Sequence, residues 1–317
     1  MSMNSTLFQQ RRSLLLASGA LGVAMALPSV VTAATKSAAS TATALPITSA
    51  TTITPQRVAV AGGAITEVVY ALDAQKLLIG ADTTSTWPAA AQSLAKIGYQ
   101  RALSAEGVLS LRPDLLLTSA EAGPPAALAQ IAAAGVQVIK LGNGHDVQTV
   151  RDRIRGTAAA LNLSPCGKNL LQRFDMEWQA TLAEVDRNKS AKPLRVMFIL
   201  SNSGTQAMVA GRDTAADAMI RYAGAVNVLG GDDGFKGYKP LTAESAVAAA
   251  PDVLLITREG LAAIGGVDKL VKSPGISITP AAKNRRVAAE MDSLLLLGFG
   301  PRLPQAVMQL SKQIYAS

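Results

Sequence analysis

The chain has 317 residues, of which 49% are hydrophobic, 16% charged and 4% aromatic. It is long enough for two domains with separate cores, and its composition excludes disorder, collagen and coiled coil. The net charge of +8 favours acidic partners, but the basic residues are scattered and aromatic residues are few, which argues against a nucleic-acid-binding groove.

Residues 1–33 are predicted to be an export signal. Arg11 and Arg12 precede an apolar run of 14 residues, 14–27, and small residues follow as far as Ala33. That run is shorter than the roughly 20 residues of a membrane-spanning helix. Paired arginines occur in twin-arginine and in ordinary secretory signals, so the export route stays open. No cysteine follows the run as a lipid anchor, and we expect a free periplasmic protein with a flexible leader at 34–55.

Strands and helices alternate in the predicted N-terminal lobe, residues 56–163. The predicted strands are 58–60, 77–80, 115–118 and 136–141, and the predicted helices are 65–72, 105–111 and 126–134. The strands are solidly apolar, which is typical of a parallel sheet covered by helices on both faces. This segment is predicted to be an α/β lobe.

The same order of elements returns in a predicted C-terminal lobe, residues 189–317. Its predicted strands are 195–200 and 253–256, and its predicted helices are 214–223, 243–249 and 304–314. Between the lobes, residues 164–188 are predicted to form one helix with Ser164 as N-cap and Pro165 in the first turn. The predicted fold is therefore α/β, with two Rossmann-like lobes and parallel sheets joined by a single long interlobe helix.

One internal repeat stands out. Leu103-Ser104-Ala105-Glu106, followed after a short interval by Pro113-Asp114, is matched with identical internal spacing by Leu241-Thr242-Ala243-Glu244 and Pro251-Asp252. Each copy is predicted to be a capped helix whose exit proline begins a buried strand. A glutamate in the first helical turn suits the helix dipole, so both glutamates have an ordinary structural explanation.

Four stretches carry a resemblance to a known family. They are Ile97–Gly107 (IGYQRALSAEG), Met208–Asp217 (MVAGRDTAAD), Gly237–Thr242 (GYKPLT) and Met291–Arg302 (MDSLLLLGFGPR). From about residue 57 onward the chain resembles the haemin-binding periplasmic proteins of bacterial haem ABC importers, within the wider group that binds siderophores and cobalamin. The resemblance implies a ferric haem held in the cleft between two lobes.

The family's iron ligand is a tyrosine in a Tyr-x-Arg motif, which falls on Tyr99 and Arg101. Ferric iron is a hard Lewis acid that prefers an anionic oxygen, and coordination can remove a phenol proton whose free pKa is about 10. A cation two residues away stabilises the phenolate, and in an extended loop Arg101 projects to the same side as Tyr99. Without the resemblance, Tyr99 would be an ordinary loop aromatic.

Other residues are candidates for the haem site. His145, the only histidine, lies in a loop after a predicted strand, where a solvated side chain with Asp146 capping the next helix is the simpler interpretation. Some family members bind a second haem through a histidine of the second lobe, where this chain has Asn202. Tyr238 is either a ligand or stacking wall or simply a packed aromatic, and Arg258 is predicted to bind a haem propionate from the loop after the strand at 253–256. The further candidates are two cations, Lys239 and Arg212, and two apolar walls, Trp87-Pro88 and Met291, with core packing the favoured role of Met291.

The resemblance gives the repeated glutamates a role. In this family one acidic residue on each lobe docks onto arginines of the inner-membrane permease, and Glu106 and Glu244 match that pattern. The expected partners are haem and the ABC permease with its ATPase, and the carrier itself is expected to be a monomer.

Two alternatives remain. One is a siderophore or cobalamin carrier of the same fold. The other is an exported NAD-type oxidoreductase, because Gly62-Gly63 follows a strand and Asp82 lies about 20 residues on, although the full glycine motif is absent. One histidine and one cysteine, Cys166, exclude zinc sites and Cys/His nucleophile pairs, and no G-x-S-x-G motif occurs. We therefore expect a protein that is not an enzyme.

Overall fold

A computed structural model describes residues 54–142, 144–202, 206–231 and 234–315. The predicted export signal and the predicted leader up to residue 53 lie outside the described residues. No helix within those ranges combines the length and apolarity that crossing a membrane requires.

The N-terminal lobe is built on a five-stranded parallel sheet with the strand order β3-β2-β1-β6-β7. The strands of this lobe are β1 (Val58–Ala61), β2 (Leu78–Ala81), β3 (Ala95–Lys96), β4 (Gly98–Tyr99), β5 (Ala102–Leu103), β6 (Leu115–Ser119) and β7 (Gln137–Leu141). The helices are α1 (Gly63–Ala71), α2 (Ala105–Leu109), α3 (Pro125–Ala133) and α4 (Val147–Ala160). Every residue of β1 and β6 is buried, as their unbroken apolar sequences predict.

A 25-residue helix, α5 (Ser164–Asn188), follows the first lobe and is about 38 Å long at 1.5 Å per residue. Its buried side chains include Leu170, Phe174, Trp178 and Val185, which lie on one face at helical spacing. The predicted N-cap was wrong by one residue: the helix begins at Ser164, and Leu163 is the cap without a side-chain hydrogen bond. Pro165 does lie in the first turn, where a missing N–H costs nothing.

The C-terminal lobe contains a mixed sheet. Its strands are β8 (Arg195–Asn202), β9 (Ala207–Ala210), β10 (Val226–Asn227), β11 (Tyr238–Pro240), β12 (Val253–Ile256) and β13 (Val287–Ala288). Its helices are α6 (Ala215–Tyr222), α7 (Ala243–Ala249), α8 (Arg258–Ile264), α9 (Val267–Val271), α10 (Pro280–Lys283), α11 (Ser293–Leu297) and α12 (Leu303–Tyr315). The sheet order is β11-β9-β8-β12-β13, with β10 beside the start of β8.

The predicted class of two α/β lobes joined by one long helix is confirmed, with one difference in the second sheet. β9 runs antiparallel to β8, and β11 runs antiparallel to β9. The short connection between β8 and β9 explains this, because a parallel pair needs a crossover of a dozen residues or more. Helix α5 packs against α4 of the first lobe and α12 of the second, so it contacts both lobes.

The lobes also meet through residues 292–302, which we call the floor segment. Arg153 of α4 donates from Nη1 to the carbonyl oxygens of Gly298 (2.6 Å) and Phe299 (2.9 Å). Phe299 has a φ of +52°, a left-handed conformation that bulky residues rarely adopt. The buried guanidinium of Arg153 therefore holds an unfavourable backbone turn in place.

A buried ion pair joins the floor segment to α1. Glu67 is 4% exposed and pairs with Arg302, which is 17% exposed and lies over the Trp87 ring at 4.6 Å. Burial raises the pKa of Glu67 above its ordinary value, while the hydrogen bond and charge of Arg302 lower it. A buried carboxylate with a single cationic partner depends strongly on that partner.

We expect Arg302→Met to lower the free energy of unfolding at pH 7 by about 3–5 kcal/mol, because Glu67 would be left buried without its cation. A raised carboxyl pKa means that this loss is smallest below the ordinary pKa and grows as the pH rises through the folded value. Urea unfolding at pH 5 and pH 7 measures both effects.

Arg285→Met is the matched control, since Arg285 pairs with Asp268 at the surface and its loss should cost about 1 kcal/mol or less. Adding Glu67→Gln to Arg302→Met should recover part of the loss. If the two arginine substitutions lower the free energy of unfolding equally, the buried pair contributes no more to stability than the exposed pair.

Candidate functional site

Tyr99 lies on a small hairpin formed by β4 and β5. Tyr99 pairs with Ala102, and Gly98 pairs with Leu103. Gly98 has a φ of +95°, which a residue with a side chain rarely adopts, so the glycine allows the chain to turn directly before the tyrosine. The Tyr99 side chain is 45% exposed and is one of the few large exposed hydrophobic groups of the described residues.

Hydrogen bonds from other segments of the lobe fix the hairpin backbone. The Thr83 amide donates to the Gly98 carbonyl at 2.9 Å, the Gly123 amide donates to the Gln100 carbonyl at 2.9 Å, and the Leu103 amide donates to the Gly123 carbonyl at 2.8 Å. The Ser119 hydroxyl also donates to Oε1 of Gln100 at 2.7 Å. An exposed phenol on a fixed backbone is thus presented at the carboxyl edge of the N-terminal sheet, where α/β folds bind ligands.

Arg101 occupies the hairpin turn and pairs with Glu121, a residue that no sequence motif indicated. Glu121 follows the carboxyl end of β6. Both side chains are about half exposed, and exposed pairs of this kind stabilise by at most about 1 kcal/mol. The guanidinium is therefore available to an anionic ligand that can compete with the carboxylate.

His145 faces the same carboxylate from the loop after β7. Its Nε2 atom lies 3.9 Å from Oε1 of Glu121, and its ring contacts the Phe299 ring with centroids 5.7 Å apart. The expectation of a solvated loop histidine is wrong, because two thirds of the side chain is covered. The predicted cap is present: the Thr149 amide donates to Oδ1 of Asp146 at 2.6 Å.

The pKa of His145 is lowered chiefly by burial, while Glu121 raises it and Arg153 and Arg101 lower it further. The imidazole is therefore neutral at pH 7 and above. Glu121 thus contacts Arg101 of the hairpin turn and faces His145 of the loop after β7, and His145 in turn contacts Phe299 of the floor segment.

Tyr238 approaches this group from the C-terminal lobe. It begins β11, where it pairs with Ala210, and its side chain is largely covered. Burial raises the pKa of Tyr238, a hydrogen bond with Thr214 lowers it, and the charges of Glu121 and Arg101 act on it in opposite directions. Since both charges belong to the N-terminal lobe, the two lobes converge here. A phenol with a raised pKa remains protonated at neutral pH.

The other predicted cations of the second lobe have partners of their own. Arg258 is the first residue of α8 and not a loop residue as predicted, and its Nη2 atom donates to the Glu290 carbonyl at 2.5 Å. Arg212 donates to the carbonyls of Gly231 and Gly234 at 3.3 and 3.1 Å. Lys239 lies over the Phe235 ring at 5.3 Å. Both Arg212 and Lys239 are exposed, but the guanidinium of Arg212 is bonded to its own loop.

The predicted walls differ in exposure. Trp87 is 48% exposed beneath Arg302, whereas Met291 is 1% exposed and packs in the core. Asn202 lies in β8, but its side chain and the following residues 203–205 lie outside the described part of the chain. The second-haem position therefore stays a sequence-based prediction.

Asp82, the acidic residue of the dinucleotide-like pattern, is fully buried. Its carboxylate accepts from the Gly62 amide at 2.9 Å, from the amide and hydroxyl of Thr84, and from the Ser85 hydroxyl. The acceptor positions that a ribose would need are taken by the protein itself. The Asp82 carboxylate therefore stabilises its own turn and the Gly62 backbone.

Glu106 and Glu244 are exposed in the first turns of α2 and α7. Ser104 caps α2 by accepting from Gly107, and Thr242 caps α7 by accepting from Ser245. A hydrogen bond from its own backbone amide and a second one with the Thr242 side chain hold the pKa of Glu244 below its usual value. Glu244 is therefore ionised at neutral pH.

Two further features do not form part of this group. A cavity of about 350 Å³ beside α5 is lined by Tyr70, Arg173, Phe174, Glu177 and other residues, none of which was predicted for the site. Among the described residues, no three or more histidine, cysteine or acidic side chains gather as a metal-binding cluster. Cys166 is exposed and free.

Comparison with known proteins gives a family model and many similar structures. The model described as "Periplasmic binding protein" matches residues 58–292. A curated relative, the vitamin B12-binding protein of Pectobacterium atrosepticum, is 24% identical over 272 residues, which cover 82% of this chain and 88% of that protein.

The similar solved structures include several haem-binding proteins. The periplasmic heme-binding protein BhuT, in complex with two hemes, is 55% identical and has a TM-score of 0.78, with 82% of this chain and 97% of that chain covered. A periplasmic heme-binding protein from Pseudomonas aeruginosa is 34% identical (TM-score 0.75; 83% and 94% covered). HutB of Vibrio cholerae, a periplasmic heme-binding protein, is 32% identical (TM-score 0.72; 82% and 99% covered).

We expect NMR titration of the single histidine to give a pKa below the ordinary value of 6.5, and Glu121→Gln to lower it further, because the carboxylate favours the imidazolium. Because the histidine pKa is depressed, its contribution to stability is complete above 6.5 and is lost as the pH falls through the folded value.

Asp268→Asn, an exposed carboxylate that pairs with Arg285, is the control and should leave the His145 titration unchanged. An unaltered pKa in Glu121→Gln would contradict the placement of Glu121 beside His145.

Proposed function

The chain belongs to the periplasmic binding protein family, and we propose that it is a periplasmic carrier that binds ferric haem between its lobes through Tyr99 and delivers it to an inner-membrane ABC permease. One observation carries the proposal: an exposed tyrosine stands on an anchored hairpin, two residues from an arginine, in a chain that is 55% identical to a haem-binding protein.

The comparisons favour haem over the other ligands of the family. The three haem-binding structures described above are 32–55% identical to this chain, whereas the vitamin B12-binding relative is 24% identical. A nicotinamide-dependent oxidoreductase has little support, because Asp82 is used entirely within its own turn. A siderophore or cobalamin carrier is the remaining alternative.

The chemistry of Tyr99 suits ferric iron. An anionic phenolate oxygen is a ligand that a hard trivalent metal prefers, and coordination supplies the free energy to remove the phenol proton. Arg101 lies two residues away, and its positive charge favours the phenolate. Because the hairpin backbone is fixed by hydrogen bonds, little ordering is required when the ligand arrives.

Haem also brings two carboxylates. A propionate can compete with Glu121 for Arg101, because the existing ion pair is exposed and weak. Arg258 and Lys239 are the further cations that we assign to the propionates, although Arg258 donates to one backbone carbonyl, that of Glu290. Arg212 contributes less, since its guanidinium is bonded to two loop carbonyls, those of Gly231 and Gly234.

Tyr238 has a different role from Tyr99. Burial raises its pKa, so removing the phenol proton costs more than for an ordinary tyrosine, and Tyr238 is the poorer candidate for an iron ligand. We assign it to the wall of the cleft on the C-terminal side, where it covers the porphyrin or donates a hydrogen bond. His145 is neutral at pH 7, which leaves it able to accept a hydrogen bond near the same ligand.

Delivery is proposed to depend on Glu106 and Glu244, one on each lobe. Both are exposed, and neither has a salt-bridge partner within the described residues. Two charge-assisted contacts with arginines of the permease would set the orientation of docking and speed the encounter. The predicted export signal and the family support a periplasmic location, and we assign the carrier as a monomer that works with the permease and its ATPase.

Titration of the purified protein with haemin tests the ligand. We expect a saturable high-spin ferric spectrum in the wild-type protein and its loss in Tyr99→Phe, because phenylalanine keeps the ring and lacks the ligand oxygen. Tyr70→Phe, on α1 beside the cavity at α5, is the matched control and should keep the spectrum.

Iron per protein, counted in the same titration, distinguishes one haem from the two of BhuT. Indifference to haemin combined with saturation by cobalamin or by a ferric siderophore would select the alternative carrier. An unchanged spectrum in Tyr99→Phe would overturn the ligand assignment.

Glu106→Ala and Glu244→Ala should each weaken stimulation of a haem permease and its ATPase in proteoliposomes, with the haemin spectrum unchanged. The lowered pKa of Glu244 means that its charge is complete above the ordinary value of 4.5 and is lost only as the pH falls through the lower folded value. Glu177→Ala, an exposed glutamate on α5, is the control, and an equal effect there would argue against docking through the two acids.

A further inference from the structure

Two arginines occupy equivalent positions in the two copies of the repeat. Arg57 stands directly before β1, and Arg195 is the first residue of β8. These strands pair with β6 and β12, which follow the acid-bearing helices α2 and α7. The sequence motif alone does not indicate either arginine, because the repeat is recognisable at the helices and not at the strands beside them.

In the N-terminal lobe, Arg57 binds the backbone of the turn that follows α2. Its Nε atom donates to the Arg112 carbonyl at 2.9 Å, and its Nη2 atom donates to the Leu111 carbonyl at 2.7 Å. The Arg57 amide donates to the Asp114 carboxylate, and the Asp114 amide donates back to the Arg57 carbonyl at 3.0 Å. The arginine is thus tied to the segment that leads from α2 into β6.

The C-terminal lobe repeats this pattern atom for atom. Nε of Arg195 donates to the Ala250 carbonyl at 3.3 Å, and Nη2 donates to the Ala249 carbonyl at 2.5 Å. The Arg195 amide donates to the Asp252 carboxylate at 2.9 Å, and the Asp252 amide donates back to the Arg195 carbonyl at 2.7 Å. Each partner of Arg195 is the repeat counterpart of a partner of Arg57, in the same register as the repeated glutamates.

The backbone that these arginines hold is strained in both lobes. Arg112 has a φ of +49° and Ala250 has a φ of +37°, which are left-handed values for residues with side chains. Such a conformation persists when neighbouring contacts determine it. Here the contacts are the arginine hydrogen bonds to the two carbonyls that flank the left-handed Cα atom, one from the preceding residue and one from the left-handed residue itself.

The helices need this support because they are short. α2 has five residues and α7 has seven, and helices of this length are unstable on their own. The guanidinium binds carbonyls of the turn that ends each helix, where its charge complements the helix dipole. One acceptor, Ala249, is the last residue of α7, whereas Leu111 and Arg112 lie two and three residues beyond the end of α2. The planar fork of the guanidinium binds two carbonyls at once and so fixes the direction of the helix, which a lysine cannot do.

We infer that Arg57 and Arg195 are positioning residues that fix α2 and α7, and with them the separation and orientation of Glu106 and Glu244, for docking onto two cationic sites of the permease. This inference rests on the docking role proposed above. The exposed acids lie at the amino ends of the helices and the arginines at the carboxyl ends, so each helix is held from the end that the partner does not touch.

Pulsed electron paramagnetic resonance tests the positioning directly. Spin labels on Cys residues that replace Glu106 and Glu244, in a Cys166→Ser background, should give one narrow distance distribution. We expect Arg57→Lys and Arg195→Lys each to broaden it, since lysine keeps the charge and loses the second hydrogen bond. Arg285→Lys, whose surface partner is Asp268, should leave it unchanged.

Double-mutant cycles in the permease assay test the function. The concentration of carrier that half-saturates the ATPase should rise roughly three- to tenfold in Arg57→Lys. That rise should vanish in a Glu106→Ala background and persist in a Glu244→Ala background, and Arg195→Lys should show the reverse. A general loss of stability would not distinguish the two glutamates.

Distance distributions as narrow as in the wild-type protein, or additive effects in every background, would overturn the inference. If Glu106→Ala and Glu244→Ala alone leave half-saturation unchanged, the docking role is wrong and the inference falls with it. The haemin titration is independent of both outcomes, so a failure of haem binding is recognised separately.

Discussion

The geometry of the cleft depends on how the floor segment is held between the two lobes. Glu67 and Arg302 form a buried ion pair across this boundary, and Arg153 binds the carbonyls of Gly298 and Phe299 from the N-terminal side. Buried charges of this kind tolerate little displacement, because a separated partner would remain unsolvated. With α5 packed on both lobes, these contacts restrict how far the lobes can move relative to one another. Tyr99 lies on the N-terminal lobe and Tyr238 on the C-terminal lobe, so the contacts that join the lobes also determine where these two side chains stand relative to one another.

Within that frame, Glu121 organises the charges of the site. It pairs with Arg101, faces His145 at 3.9 Å and acts on the pKa of Tyr238 in the other lobe. A carboxylate is an unexpected group in a cleft proposed for an anionic ligand. Its exposed pairing with Arg101 is weak enough for a propionate to displace, and until then it keeps the guanidinium beside the Tyr99 hairpin. In the free protein, Glu121 is thus the anion that balances the charge of Arg101.

The short helices α2 and α7 are stabilised in the same way in the two lobes. A hydroxyl caps the amino end, an acid occupies the first turn, and an arginine at the start of the neighbouring strand binds carbonyls at or just beyond the carboxyl end. The agreement between the two copies covers backbone turns as well as side chains. Glu106 and Glu244 therefore stand on helices that are held in the same way, which suits the proposed partner that contacts both acids at once.

The sequence by itself determined the two-lobe fold, the long helix, the capped repeat and the presence of Tyr99 beside Arg101, because apolar periodicity, caps and local motifs depend on residues close together in the chain. It failed where distant residues decide. The antiparallel β9, the cover over His145 and the helical position of Arg258 all follow from tertiary packing. Glu121 lies 20 residues from Arg101, and Arg302 lies 235 residues from Glu67. Only the tertiary fold brings such pairs into contact, since a salt bridge or a hydrogen bond between distant residues leaves no periodic signal in either segment alone.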